Sequence, residues 1–213
     1  MKKYVKRFVA AVAAMGLLFV PAVAGASTTP TLNQTVNAGT LSMNILQSDD
    51  VTPVSSPSVS FPALNRSFTC QTNTATLGDT NNKLNVTNFA ANNGWTLTIA
   101  ATGGAASTWS DGTHTYKFND ATGSGCTNGQ MTVDPSATTL TLDCNSACTT
   151  TGVTKGSSSA FVSGTTDSVT LLTDGNGAAW EGYLTGIGLS QKIPATQAAG
   201  AYSLGMTLTI TAQ

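Results

Sequence analysis

Few residues in this chain have the types and spacing that catalysis requires. His114 is the only histidine and Glu181 is the only glutamate. A Ser-His-Asp triad needs an activated serine, but Ser124 has glycines at its adjacent positions rather than at the two-residue spacing of a nucleophile elbow. Glycoside hydrolysis would need a second carboxylate across a cleft from Glu181, and no motif indicates one. We therefore predict that the protein is not an enzyme.

The sequence also lacks the patterns of a metal site. Asp174-Gly175-Asn176-Gly177 resembles part of a calcium-binding loop, but the further oxygen ligands and the terminal glutamate of an EF-hand are absent. A hairpin turn explains this segment better. The chain contains neither the Cys-x-x-Cys nor the paired-histidine spacing of a zinc site. We expect no metal and no other cofactor.

The three tryptophans are the remaining residues that suggest binding. Aromatic side chains dominate small β cores, whereas an exposed indole ring is suited to stacking on a sugar. Trp95 alternates with Leu97 and Ile99, which favours the buried face of a strand. Trp109 lies in a loop rich in Ser, Thr and Gly, so it is the best candidate for an exposed ring.

The composition excludes several classes of function. Only 9% of the residues are charged, against about 25% in a typical soluble domain, and Thr, Ser, Asn and Gly replace them. Nine Lys and Arg residues against ten Asp and Glu residues leave no basic surface for a phosphate backbone, so nucleic acid is not an expected partner. The low charge also differs from that of a disordered chain. We expect a Thr-rich β-protein that acts outside the cytoplasm.

Residues 1–26 match the pattern of a cleaved secretory signal peptide. Four basic residues precede the apolar run Phe8–Val20, and Ala24-Gly25-Ala26 supplies the small residues of a cleavage site. As a helix this run would span about 20 Å, less than the roughly 30 Å hydrocarbon core of a membrane. We therefore predict secretion, an extracellular or cell-surface location and no membrane span after cleavage. The mature chain would have a net charge of about −5.

The four cysteines are Cys70, Cys126, Cys144 and Cys148. In an exported chain an even count favours two disulfides, for which three pairings exist. A bridge between Cys144 and Cys148 would close a very small loop, whereas a bridge from Cys126 to either of them would close about twenty residues and contribute about 3 kcal/mol. We favour Cys126 pairing with Cys144 or Cys148, and all three pairings stay open.

Alternation of apolar and polar residues predicts strands along the mature chain. The clearest case runs from Tyr202 to Ala212, and shorter alternations cover Trp95–Ala101, Leu41–Ile45 and His114–Phe118. Further short strands are expected at residues 59–61, 68–74, 84–87, 131–133, 138–142, 169–172 and 187–193. Clusters of Gly, Asn, Asp and Ser separate them as turns. Many short strands without helices are typical of a β-sandwich or barrel, which we expect over residues 59–213, after an N-terminal extension or edge strand at 27–58.

The stretch from Val86 to Ile99, which ends in Gly-Trp-Thr-Leu-Thr-Ile, resembles the first signature of the WxL domain, a family of surface proteins of Gram-positive bacteria. Trp180 in a Gly- and Ala-rich segment, Ile193-Pro194 and Gly200-Ala201-Tyr202 resemble the closing pattern of that family. The second Trp-x-Leu of the family is absent, because the last strand contains Leu208-Thr209-Ile210 instead.

This resemblance implies an Ig-like antiparallel β-sandwich, here stabilised by disulfides, that attaches non-covalently to the cell wall with peptidoglycan as its ligand. Trp95 and Leu97 are the motif residues that carry over. Together with Trp109 and Trp180 they are the candidate ligand-binding residues. We expect a non-catalytic bacterial cell-surface protein that binds wall peptidoglycan or polysaccharide, or a partner surface protein.

The alternative is a structural subunit of a surface layer or pilus-like fibre. Such subunits assemble when a strand of one copy adds to the sheet of the next. The segment Thr31–Gln47 is the candidate donor, since alternating Leu41, Met43 and Ile45 precede a proline-punctuated linker. The partner would then be a second copy of this chain.

Overall fold

The computed structural model describes residues 34–35, 39–89, 94–122, 126–144 and 148–213. The expected signal peptide, residues 1–26, lies outside this set. Within it the chain forms β-strands and one short 3-10 turn, Gly104–Ala106, with no α-helix, so no helix there is long and apolar enough to span a membrane. Residues 37–213 form one compact unit. The prediction of an all-β antiparallel fold is confirmed.

The strands are numbered in chain order. Their bounds are β1 Leu41–Leu46, β2 Gln71–Leu77, β3 Lys83–Asn88, β4 Trp95–Ala101, β5 Thr108–Ser110, β6 Thr115–Lys117, β7 Gln130–Asp134, β8 Thr139–Leu142, β9 Val153–Lys155, β10 Ser159–Ala160, β11 Ser168–Asp174, β12 Trp180–Thr185, β13 Ile187–Ile193 and β14 Met206–Ala212. Residues 59–61 form no strand, because prolines at positions 57 and 62 flank them and cannot donate to a ladder. The sequence missed β5, β9, β10 and β12, which are very short or, in β12, do not alternate.

Two layers pack face to face as a β-sandwich. In the first layer β12 and β13 run nearly end to end as the central strand, with β3 and β2 along one side and β8 and β7 along the other. β1 and β10 lie at the edges of this layer. The second layer has the strand order β14-β4-β11-β9. The short hairpin β5–β6 stands apart from both ladders.

Gly186 joins β12 to β13 and allows the central strand to bend. Its φ of 84° lies in the left-handed region, which glycine adopts without steric cost. The Gly186 N–H donates to the carbonyl of Gly78 at 2.8 Å, and Gly78 follows β2 with a φ of 83°. The two glycines that follow β12 and β2 therefore lie side by side in the first layer.

The inward faces of both layers share one apolar core. Along β4, burial alternates over all seven residues, with Trp95, Leu97 and Ile99 on the inward face. Trp180 of the opposite layer contacts Trp95, with the ring centroids 5.6 Å apart. Each buried aromatic side chain removes roughly 150–250 Å² from water, so this contact is a principal link between the layers.

β1 belongs to the sandwich. It pairs with β3 along its full length, from Leu41 opposite Asn88 to Leu46 opposite Lys83. The proposed donor segment Thr31–Gln47 therefore supplies an edge strand of its own chain, while residues 31–33 and 36–38 lie outside the described part.

The structure forms two disulfides, but their pairing differs from the one we favoured. Cys126 pairs with Cys70, at a Cα–Cα distance of 5.7 Å, and Cys144 pairs with Cys148 at 5.9 Å. The bridge from Cys126 to Cys144 or Cys148 is therefore wrong. The reason is topological: β2 and β7 both lie antiparallel to β13, so the residues that precede them, Cys70 and Cys126, meet at the same end of the sheet.

The two disulfides are expected to differ in their contribution to stability. Alanine at both positions of the Cys70–Cys126 pair, which are 56 residues apart, lowers the free energy of unfolding by about 4 kcal/mol because a long loop is released. The matched replacement of Cys144 and Cys148, which are 4 residues apart, costs about 2 kcal/mol. Urea denaturation of both double variants measures the difference. An equal or reversed order contradicts this prediction.

Candidate functional site

Three of the four candidate binding residues lie in the core. Trp95 and Leu97 are 0% exposed and Trp180 is 1% exposed. A surface ligand cannot reach them in the folded domain, so the expectation that they contact a ligand is corrected to a packing role. The physical reason is the inward register of β4 and of the first residue of β12.

Trp109 is different, because it is half-buried and lines a groove of about 460 Å³. Its ring lies parallel to that of Tyr116, with centroids 6.1 Å apart. Phe61 meets Trp109 edge-on at 5.6 Å, and Tyr202 meets Tyr116 in the same way at 5.1 Å. These four residues form the aromatic cluster of the groove.

Local pairing places the cluster. Trp109 and Tyr116 are directly opposite each other in the β5–β6 hairpin, so both side chains lie on the same face. Ser110 then forms a bridge with Ser203 through two backbone hydrogen bonds of 3.0 and 2.9 Å, which brings the neighbouring Tyr202 beside Tyr116. From Tyr202 onward, partly buried and exposed residues alternate as the sequence predicted. The ladder with β4 starts only at Met206, because Ser203 pairs with the hairpin instead.

A buried amide orients the Trp109 indole. Gln191 of β13 is 1% exposed and occupies an inward position between the layers. Its Oε1 accepts a hydrogen bond of 2.8 Å from the Trp109 Nε1–H, and its Nε2 donates to the carbonyl of Lys192 at 2.7 Å. Both ends of the amide are therefore used, and the indole has a defined orientation at the margin of the core.

The loop of residues 62–67 forms a second wall of the groove. Asn73 Nδ2 donates to the carbonyl of Pro62 at 2.7 Å. The N–H of Thr196 donates to the carbonyl of Ser67 at 2.7 Å, and Arg66 Nη2 donates to the carbonyl of Thr196 at 3.2 Å. The Cys70–Cys126 disulfide follows this loop and holds its far end. Hydrogen bonds and the disulfide therefore hold this irregular loop at several points.

The groove has a neutral floor. The Tyr116 phenol is uncharged at physiological pH, as an ordinary tyrosine is, and burial, with a smaller effect of Tyr202, raises its pKa further, to about 12. The polar side chains along the walls are mainly amides, and within the described lining none is an aspartate or glutamate. Such a surface offers hydrogen bonds and aromatic faces rather than negative charge.

His114 and Asp111 form a polar pair behind the groove. His114 Nδ1 lies 3.1 Å from Asp111 Oδ2, and Asp111 also accepts hydrogen bonds from the backbone N–H groups of His114 and Thr113. A Cβ atom at Gly200, which lines the groove, would lie 2.1 Å from Asp111 Oδ2, so this close approach requires glycine. No serine hydroxyl in the described part of the chain bonds to His114, and Ser124 lies outside that part.

In the Asp174 turn one carboxylate oxygen bonds to the backbone, and the other, Oδ2, is buried without a hydrogen-bond partner in the described chain. Asp174 Oδ1 accepts a hydrogen bond of 2.9 Å from the N–H of Asn176, which caps the turn after β11. Across the described residues no cluster of three or more His, Cys, Asp or Glu side chains is arranged to hold a metal ion.

Sequence reasoning identified Trp109 but missed its surroundings. Phe61, Tyr202 and Gln191 come from distant segments that only the fold brings together. The signal available was weak: Gln191 is a polar residue at an apolar position of an alternating strand. Comparison with known protein families, with curated proteins and with solved structures finds no match to this chain.

The Trp109–Gln191 hydrogen bond is expected to stabilise the domain. Trp109→Phe leaves the buried Gln191 oxygen without its donor, which lowers the free energy of unfolding by about 1–3 kcal/mol. In a Gln191→Met background the same change costs less, since no buried acceptor is left unpaired. Urea denaturation of the four proteins of this double-mutant cycle gives the coupling energy. Additive effects mean that the bond does not stabilise the fold.

Asp111 is expected to make stability depend on acid pH. The backbone N–H groups of His114 and Thr113 lower its pKa from 3.8 to about 2. A carboxyl whose pKa is lower in the folded state than in the unfolded state stabilises the fold at pH values above its unfolded-state pKa. This contribution decreases as the pH falls below the unfolded-state pKa and is lost once the pH passes the folded-state pKa of about 2. Thermal melts between about pH 5 and pH 2 should give a steeper decrease of Tm for the wild type than for Asp111→Asn. Parallel curves contradict the prediction.

Proposed function

We propose that this protein is a secreted, non-catalytic cell-surface module that binds bacterial cell-wall glycan in the groove beside Trp109. The observation that carries the proposal is the aromatic cluster next to amide side chains in an open groove. Sugar rings have apolar faces that pack on aromatic rings and hydroxyl groups that bond to amides. Binding sites of this kind combine an apolar lining with a few placed polar groups.

A glycan chain could extend from the groove across the neighbouring surface. Its walls come from the loop of residues 62–67 and from the segment that leads to Tyr202, both on the surface. Leu64 of the first wall is 45% exposed, and Phe68, which follows this wall outside the groove lining, is 89% exposed, so apolar surface continues beyond the groove itself. A glycan of several rings would contact both the cluster and this surface.

Two features of the sequence support the location and the ligand. The signal-peptide pattern at residues 1–26 supports export. The resemblance to the WxL domain supports non-covalent attachment to peptidoglycan, although its motif residues Trp95 and Leu97 pack the core. In this proposal the motif maintains the sandwich, and the contacts with wall glycan come from Trp109 and its neighbours.

Assembly by strand addition has less support. β1 would have to leave β3, with which it pairs along all six of its residues, before another subunit could receive it. Breaking this ladder would also uncover Leu46, which is 7% exposed. We therefore prefer the binding function.

The test is co-sedimentation of the purified protein with isolated bacterial cell walls. The wild type should sediment with the walls, and Trp109→Ala should reduce the bound fraction at constant wall concentration, with an affinity loss of at least about tenfold. Phe89→Ala is the matched control, because Phe89 is an aromatic residue that is 48% exposed outside the groove. Circular dichroism confirms that each variant is folded. Wild type that stays in the supernatant, or Trp109→Ala that binds normally, contradicts the proposal.

A further inference from the structure

The groove contains a guanidinium that forms no ion pair with a carboxylate of the described residues. Arg66 is the only arginine after residue 26, and it lines the groove. The mature chain has five basic residues against ten acidic ones, so an anion would be repelled by most of the surface. Among the described residues no carboxylate lies within ion-pair distance of the Arg66 guanidinium. A single guanidinium thus stands in a lining without acidic side chains.

The backbone holds Arg66 in place. Its Nη2 donates to the carbonyl of Thr196 at 3.2 Å, while the N–H of the same Thr196 donates to the carbonyl of the adjacent Ser67. These contacts bind the Arg66 loop to the opposite segment of the groove. A guanidinium has five N–H donors, and this arrangement uses one of them within the described chain. The others remain for a ligand.

We propose that Arg66 binds an anionic substituent, a carboxylate or a phosphate, of a glycan whose sugar rings pack on the aromatic cluster. This inference rests on the proposed function and specifies its ligand. The planar guanidinium matches both anions through paired hydrogen bonds, which a neutral amide or a lysine does not reproduce. The amides and aromatic rings bind the uncharged part of the chain, and Arg66 selects charged glycans over neutral ones.

Three probes separate these contributions. Chito-oligosaccharides are neutral chains of N-acetylglucosamine. Peptidoglycan glycan strands freed of their stem peptides have a related backbone with a free lactyl carboxylate on every second sugar. Poly(glycerol phosphate) supplies phosphate without sugar rings. Isothermal titration of the purified protein with each probe, at low and at high sodium chloride, distinguishes a carboxylate source from a phosphate source.

The variants are Arg66→Gln, Arg66→Lys, Trp109→Ala and the control Lys155→Gln, which removes one exposed positive charge outside the groove. The wild type should bind carboxylate strands more tightly than chito-oligosaccharides. Arg66→Gln should weaken binding of the carboxylate strands about five- to tenfold more than it weakens binding of chito-oligosaccharides, because the loss of the Thr196 contact affects both ligands and the loss of the charge affects only the first. Arg66→Lys should recover part of the loss, and Lys155→Gln should match the wild type. High salt should remove the preference of the wild type but not affect Arg66→Gln.

The possible failures are distinguishable. If Arg66→Gln binds carboxylate strands and poly(glycerol phosphate) as the wild type does, while Trp109→Ala loses every glycan, the role of Arg66 is wrong and the glycan function stands. A wild type that prefers chito-oligosaccharides also overturns the inference. If no glycan binds the wild type, or Trp109→Ala binds all of them normally, the proposed function is wrong and the inference fails with it.

Discussion

The burial of two apolar sheet faces against each other is the constraint on which the rest of this structure depends. Trp95 and Trp180, the first residues of β4 and β12, meet across that contact. Both indole N–H groups are buried without an acceptor in the described chain, and an unpaired buried donor costs about 1–3 kcal/mol. The packing of these rings must offset that cost. The two rings share this core with other large buried side chains, among them Phe118 and Phe161.

The groove forms where this apolar packing ends. The β5–β6 hairpin is not part of either main ladder, and Trp109 reaches from it to the margin of the core. There it meets Gln191, a polar side chain at an inward position of β13. A polar group at the core margin requires a partner, and the indole N–H supplies it. The same contact that satisfies the buried amide therefore orients the ring that we propose as the glycan platform.

The sequence predicted the strands where the pattern is local, and it failed where distant segments meet. Apolar and polar residues alternate in β4 and β14 with a period of two. Because the strand is pleated, the direction of one side chain determines the direction of the next. The predicted disulfide pairing was based on loop length alone. It was wrong, because the sheet topology brings Cys70 close to Cys126. Among the candidate binding residues, only Trp109 lines a groove. Its partners Phe61, Gln191 and Tyr202 could not be assigned from spacing.

Composition and alternation by themselves determined that this chain is a β-protein with an inward face on Trp95, since side-chain direction in a strand depends only on neighbouring residues. They also indicated that Trp109, in its polar context, was the tryptophan to follow. Only the tertiary structure decided which cysteines pair, which tryptophans are inaccessible and that Arg66 lies in a groove without acids. Those properties depend on contacts between residues far apart in the chain, and local pattern contains no information about them.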